Sequence, residues 1–185
     1  MAILVHRFDD RDLFPILTTF STADVRADSR VEGRREDVGL HLSWTRQPSD
    51  PAEVMVAIGL PLRGIGGEVQ RLDLELDGDL RSCRVILVAT DSCGAEFYYH
   101  LQSSAKRGRH TWSGDGRHAR TREDEPGNDV VVSPPIQPQR LSIVVGPERR
   151  TLEVRLLCLR ATGDARLVPS GIANGNKAGS DAAPP

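Results

Sequence analysis

Polar and apolar side chains alternate with a period of two through most of this chain, whereas the three-to-four-residue spacing of an amphipathic helix almost never occurs. That pattern dictates strands with one wet face. In "RLDLELDGDL", Leu72, Leu74 and Leu76 point one way and Asp73, Glu75 and Asp77 the other. "VGLHLSW" sets Val38, Leu40, Leu42 and Trp44 against Gly39, His41 and Ser43. "RLSIVVG" lines up Leu141, Ile143 and Val145, and "TLEVRLLCLRA" lines up Leu152, Val154, Leu156 and Cys158 against Glu153 and Arg155. Each suits an antiparallel sheet half covered by a core. "VMVAIGLPL" and "CRVILVATD" are apolar on both faces, as expected of central strands or of strands covered by a loop.

Eight to ten strands are expected near residues 2–7, 25–32, 38–45, 53–60, 69–77, 83–90, 95–101, 109–113, 139–145 and 151–161. Gly33, "QPSDP", "GIGG", "DGD", "DSCG" and "GPER" supply turn signals between them. Such spacing belongs to an all-β antiparallel sandwich or barrel. "DDRDLFPILTTF" has room for one helical turn, limited by Pro15. Residues 114–138 read as a long polar connection without strand signal, the kind of loop that carries function. The β-structured domain is expected to span 1–163, and residues 164–185, small, polar and free of aromatics, read as a disordered tail. A body of this size buries roughly 68 to 70% of its unfolded surface, enough for a self-sufficient core.

The 24 basic and 26 acidic residues leave a net charge of −2, so no global field draws the protein to nucleic acid or to an anionic membrane. The opening "MAILVHRFDDRD" has an apolar run too short for a signal peptide or a membrane span, which makes a cytoplasmic location the default unless the chain is a fragment of an exported protein. Cys83, Cys93 and Cys158 form no C-x-x-C pair and are expected to be free thiols. No cofactor is expected. "GIGG" reads as a turn, without the strand, spacing and helix of a phosphate-cradling loop, and no serine or cysteine sits in a nucleophile elbow. His110, Asp115 and His118 lie within nine residues of one another but match no zinc-ligand spacing. Asp73, Glu75 and Asp77 read as the solvated face of one strand rather than a hydrolytic pair.

The order "HRFDDRD", "VGLHLSWT", "VAIGLPLRG", "RLDLELDGD", "RVILVATDSCGAEFYYHL", the Trp-bearing "RHTWSG", a long loop, "PPIQPQRLSIVV" and a closing "RTLEVRLLCLRATG" resembles the jelly-roll carbohydrate-binding modules of bacterial glycoside hydrolases, within the wider galactose-binding-like sandwiches. The resemblance covers about residues 3 to 163. It implies a two-sheet sandwich that holds glycan on a concave sheet face or at rim loops. Many relatives carry a structural calcium site completed by paired acidic residues on the closing strand. Asp9 and Asp10 match its N-terminal half, but "LLCLRATG" offers only backbone carbonyls where six to eight oxygen ligands are needed, so no metal is expected.

Three of the eight aromatic side chains (two Trp, two Tyr, four Phe) stand together in "CGAEFYYHLQ". Alternation sends Phe97, Tyr99 and Leu101 to the core and Glu96, Tyr98, His100 and Gln102 to the opposite face. An outward ring among a carboxylate, an imidazole and an amide suits a sugar, whose C–H patches stack on the ring while its hydroxyls pair with the polar groups. Trp112 is a second candidate ring for the ligand, the alternative being a structural ring packed beneath the long loop, with Arg109 and Asp115 as polar partners; Trp44 is expected in the core. The expected ligand-binding set is thus Tyr98, His100, Trp112, Arg109 and Asp115, with no catalytic residue. The expected partner is a polysaccharide or oligosaccharide, with a fused or associated glycoside hydrolase and no nucleic acid or membrane. The alternative is a structural or protein-interaction sandwich that has lost the sugar site. A hydrolase or lyase would require acidic groups converging in a pocket near the 114–138 loop.

Overall fold

The computed structural model describes residues 2–10, 16–21, 27–60, 64–122, 129–164 and 166–168. Among them every regular element is a strand: β1 (Ala2–Arg7), β2 (Ile16–Ser21), β3 (Val31–Glu36), β4 (Gly39–Thr45), β5 (Val54–Gly59), β6 (Gly64–Gly66), β7 (Val69–Asp79), β8 (Cys83–Thr90), β9 (Glu96–Leu101), β10 (Arg107–Asp115), β11 (His118–Arg120), β12 (Asp129–Val131), β13 (Gln137–Val145), β14 (Thr151–Gly163) and β15 (Arg166–Val168). One sheet runs β10-β7-β14-β4-β3, with β1 also on β14; the other runs β12-β11-β9-β8-β13-β5-β2. All pairings are antiparallel, and the two sheets enclose one apolar cluster, so the fold is a two-sheet β-sandwich.

Parity explains which residues fill that cluster. Leu72, Leu74 and Leu76 of β7, Leu40, Leu42 and Trp44 of β4, and Leu141, Ile143 and Val145 of β13 are all buried in it. The strands that read as apolar on both faces, β5 and β8, are internal to their sheet. Val54, Val56 and Ile58 of β5 and Val85, Leu87 and Ala89 of β8 face the main core, while Met55, Ile86, Val88 and Val144 form a second cluster on the sheet's other face, against which Phe20 and Tyr98 pack.

β14 is long enough to serve two partners on one side. Residues 151–156 pair with β4 and residues 158–163 with β1, and on the opposite side a bulge falls between Leu156 and Cys158 in the pairing with β7. The extra residue reverses parity. Leu159 and Ala161 therefore follow Leu156 into the core, and Cys158, which simple alternation sends inward, turns to the outer face, its thiol 3.4 Å from Glu75 Oε2. That outer face is a lattice of ion pairs: Glu75 meets Arg109 at 2.5 Å and Arg160 at 2.6 Å, and Glu36 meets Arg155 at 2.6 Å.

Several expectations are corrected. Val38 is 52% exposed because β4 begins at Gly39 and the preceding pair forms a hairpin turn. The strand expected at 25–32 lies at Val31–Glu36, with Gly33 inside it as no turn at all; a Cβ there would collide with Leu17 of the facing sheet. "GIGG" supplies β6, whose Ile65 exchanges backbone hydrogen bonds with Ile136. β15, Leu167 and Val168 among its residues, pairs with β6, so three residues assigned to the tail join a small sheet. The connection 114–138 contains the hairpin strands β11 and β12. Within "DDRDLFPILTTF", residues 16–20 belong to β2; the expected helical turn reaches into 11–15, and the rest of the tail is 169–185, both outside the described residues.

Candidate functional site

Alternation along β9 holds as expected: Phe97, Tyr99 and Leu101 are buried, Tyr98 and His100 are half-buried on the far face, and Glu96 and Gln102 are exposed. The register sets Tyr98 beside Val88 on one side and Arg120 on the other, and Arg120 in turn beside Asp129. Past the end of β9 the chain makes an isolated bridge to the other sheet, where the amide of Gln102 donates to the Ser113 carbonyl at 2.7 Å and the reverse bond is equally short. Two residues on, at the end of β10, stands Asp115.

The outcome is an open cleft of about 300 Å³ lined by Tyr98, His100 and Gln102, by Asp115, and by His118, Ala119, Arg120 and Asp129. Its polar groups are already oriented. The Asp115 carboxylate accepts from the Arg117 amide at 2.8 Å and contacts His118 Nδ1 at 2.9 Å. These two bonds hold the Asp115 carboxyl below the usual carboxylate range. Tyr98 donates its hydroxyl to Glu96 Oε2 at 2.5 Å, Arg120 Nη1 lies 3.5 Å from His100 Nε2, and Arg120 Nε lies 3.6 Å from Asp129 Oδ1. One ring, a guanidinium, two imidazoles, a carboxamide and two carboxylates thus border one opening. That set offers both donors and acceptors to a polyhydroxylated ligand.

Of the five residues expected at a ligand, the fold brings together Tyr98, His100 and Asp115. Trp112 is a correction. It lies opposite Leu74 in the β10–β7 register and is 2% exposed, so its ring fills the core, with Lys106 Nζ 3.8 Å from its centroid. A buried ring offers no stacking platform. Arg109 is spent elsewhere, in its ion pair with Glu75, six residues and roughly 20 Å of strand from Asp115. The sequence reading weighed His118 only as a zinc ligand and did not single out Arg120 or Asp129, because three-residue strands are too short to display alternation; Gln102 stood on the right face without being singled out. Trp44 is in the core as expected, donating Nε1–H to Ser29 Oγ at 2.8 Å.

No group of three His, Cys, Asp or Glu side chains gathers as a metal site among the described residues. Asp9 is engaged by Arg7 at 2.6 Å, and His110 is buried beside Trp112. Between Lys106 and Arg122, Arg107 pairs with Asp79 at 3.4 Å and Arg117 with Glu68 at 2.6 Å.

Compared with solved structures, the chain is similar to the family 11 carbohydrate-binding module of the cellulosomal cellulase Lic26A-Cel5E of Clostridium thermocellum, at a TM-score of 0.54 and 11% identity over 88% of this chain and 96% of that one. A second structure of a family 11 module from the same organism, in complex with a β-1,3-1,4-mixed-linked tetrasaccharide, matches at the same TM-score and identity over 88% and 98% of the two chains. The fold is that of these modules. No protein-family model matches the sequence, and no curated protein matches it. At this identity the shared property is the backbone architecture, which agrees with the resemblance drawn from the order of strands.

Proposed function

We propose that this chain is a non-catalytic carbohydrate-binding module and that its cleft at Tyr98 receives a stretch of polysaccharide or an oligosaccharide. The observation that carries the reading is the meeting of Tyr98, Arg120, His100 and Asp115 in one open cleft on a fold shared with a module solved in complex with a tetrasaccharide. The ring covers C–H surface of a sugar, Arg120 donates to its hydroxyls, the imidazoles donate to or accept from them, and the carboxylates accept. Because the site is open and holds a single described aromatic ring, binding is weak, with dissociation constants of about a micromolar to a millimolar, or about 4 to 8 kcal/mol. A weak binder gains from being carried by an enzyme acting on the same polymer, so the natural partner is a fused or associated glycoside hydrolase.

Affinity electrophoresis on a panel of soluble polysaccharides tests this. Retardation by at least one of them, weakened tenfold or more by Tyr98→Ala together with Arg120→Ala while circular dichroism stays that of a folded sheet protein, is the expected result. Undiminished retardation in the variants removes the proposed surface. The burial of Trp112 favours a second reading, a structural or protein-interaction sandwich; failure of every glycan on the panel, with the protein folded, selects it.

A further inference from the structure

A second cleft, of about 440 Å³, adjoins the first and shares His118 with it. Its character is opposite. Val69, Val132 and Ile136 contribute buried apolar surface, Gly116 closes against Val69, and Val131 stands at the wall 73% exposed, one of three large apolar side chains so exposed among the described residues. Its charged lining side chains are exposed at the rim, where Arg117 pairs with Glu68 at 2.6 Å beside His118.

We propose that this compartment holds the O-acetyl groups of an acetylated glycan whose main chain occupies the Tyr98 cleft. The inference rests on the glycan reading of that cleft. Continuity through His118 means that a chain ligand lying at Tyr98 extends toward Val131. A free sugar hydroxyl lodged among Val69, Val132 and Ile136 would lose its water without gaining a partner, which disfavours unsubstituted sugars there. An acetyl ester reverses the balance: its methyl removes apolar surface from water, and its carbonyl oxygen needs one donor, which the guanidinium of Arg117 provides at the rim. Specificity then comes from a difference between two forms of one polymer.

Isothermal titration of the full chain with acetylated xylo-oligosaccharides and acetylated gluco-manno-oligosaccharides, each also after alkaline deacetylation, is the test. Tighter binding of an acetylated preparation, by about fivefold or more, is expected. Val131→Asp should abolish that preference and leave affinity for the deacetylated form unchanged, and Ser133→Trp, a bulky side chain on the exposed rim, should do the same by filling the compartment. Equal affinity for the two forms, a preference that survives both substitutions, or no binding of either form overturns the inference. The reading of the Tyr98 cleft falls with it only where the wild type also fails on the unsubstituted polysaccharides.

Discussion

Gln102 and Ser113 exchange both backbone hydrogen bonds at 2.7 Å, and this reciprocal pair fastens the end of β9 in one sheet to β10, an edge strand of the other. Ser113 belongs to β10, which otherwise pairs with β7, and Gln102 follows directly on β9. Two residues beyond the bridge, Asp115 stands opposite Arg71 of β7 and lines the cleft with His100 and His118.

Acid sensitivity should centre on Asp79. Hydrogen bonds from the Arg81 side chain lead the forces that hold its carboxyl far below its ordinary value of 3.8, against a smaller opposing effect of burial, with the Arg81 amide and the charge of Arg149 adding to them. A folded pKa below the unfolded one contributes stability that is complete above 3.8 and is lost as pH falls toward the folded value. Wild type should therefore exceed Asp79→Asn in melting temperature at neutral pH, with the gap narrowing steadily as pH falls from about 4 to 2. A gap that stays constant over that range would show that the ion pair contributes nothing to folding.

Thiol reactivity should split one against two. Cys93 is exposed, Cys83 and Cys158 are buried, and none is bridged to another. Burial pushes the Cys83 thiol up to about 11, and burial followed by the neighbouring Glu75 carboxylate raises that of Cys158. Iodoacetamide at pH 8 should label a single site in the native protein, mapped by mass spectrometry to Cys93, and three sites after denaturation. Rapid native labelling of Cys158 would contradict its position on the outer face beneath the ion pairs.

Gly39 should resist every replacement. It sits at φ +96°, and a Cβ there would collide with the Leu156 carbonyl oxygen of β14. Backbone strain and forced displacement each cost about 1 to 3 kcal/mol, so Gly39→Ala should lower unfolding free energy by about 2 to 6 kcal/mol in urea titration. Gly94→Ala, also at positive φ but with open space around it, should cost less.

The buried bond from Trp44 to Ser29 offers a further test. Ser29 is 2% exposed, and Ser29→Ala leaves the indole N–H without this acceptor inside the core. The expected loss is about 1 to 3 kcal/mol, with glycan affinity unchanged because neither residue borders the cleft. A stability within a few tenths of wild type would mean that water reaches the indole.

Strand content and the inner face of most long strands were legible because a period of two, sustained over six or more residues beside a core, leaves only one orientation that buries the apolar set. Leu72, Leu74 and Leu76 and the face assignment of Tyr98 are of this kind. The reading failed where a local event alters parity or length: the bulge that turns Cys158 outward, the hairpin that exposes Val38, and the strands β6, β11, β12 and β15, each three residues long. The candidate site was half legible for the same reason, since Tyr98 and His100 lie on a long strand and Arg120 and Asp129 on short ones.

By itself, then, the sequence determined the class of fold and which side of β9 meets solvent, because side-chain periodicity along one strand is a local property. Only the tertiary structure decided that Asp115, Arg120 and Asp129 join Tyr98, that Trp112 is sealed beneath Lys106, and that Arg109 is held by Glu75. Those outcomes depend on which strands become neighbours and on how the two sheets are fastened together, and both are set by pairing between residues far apart in the chain.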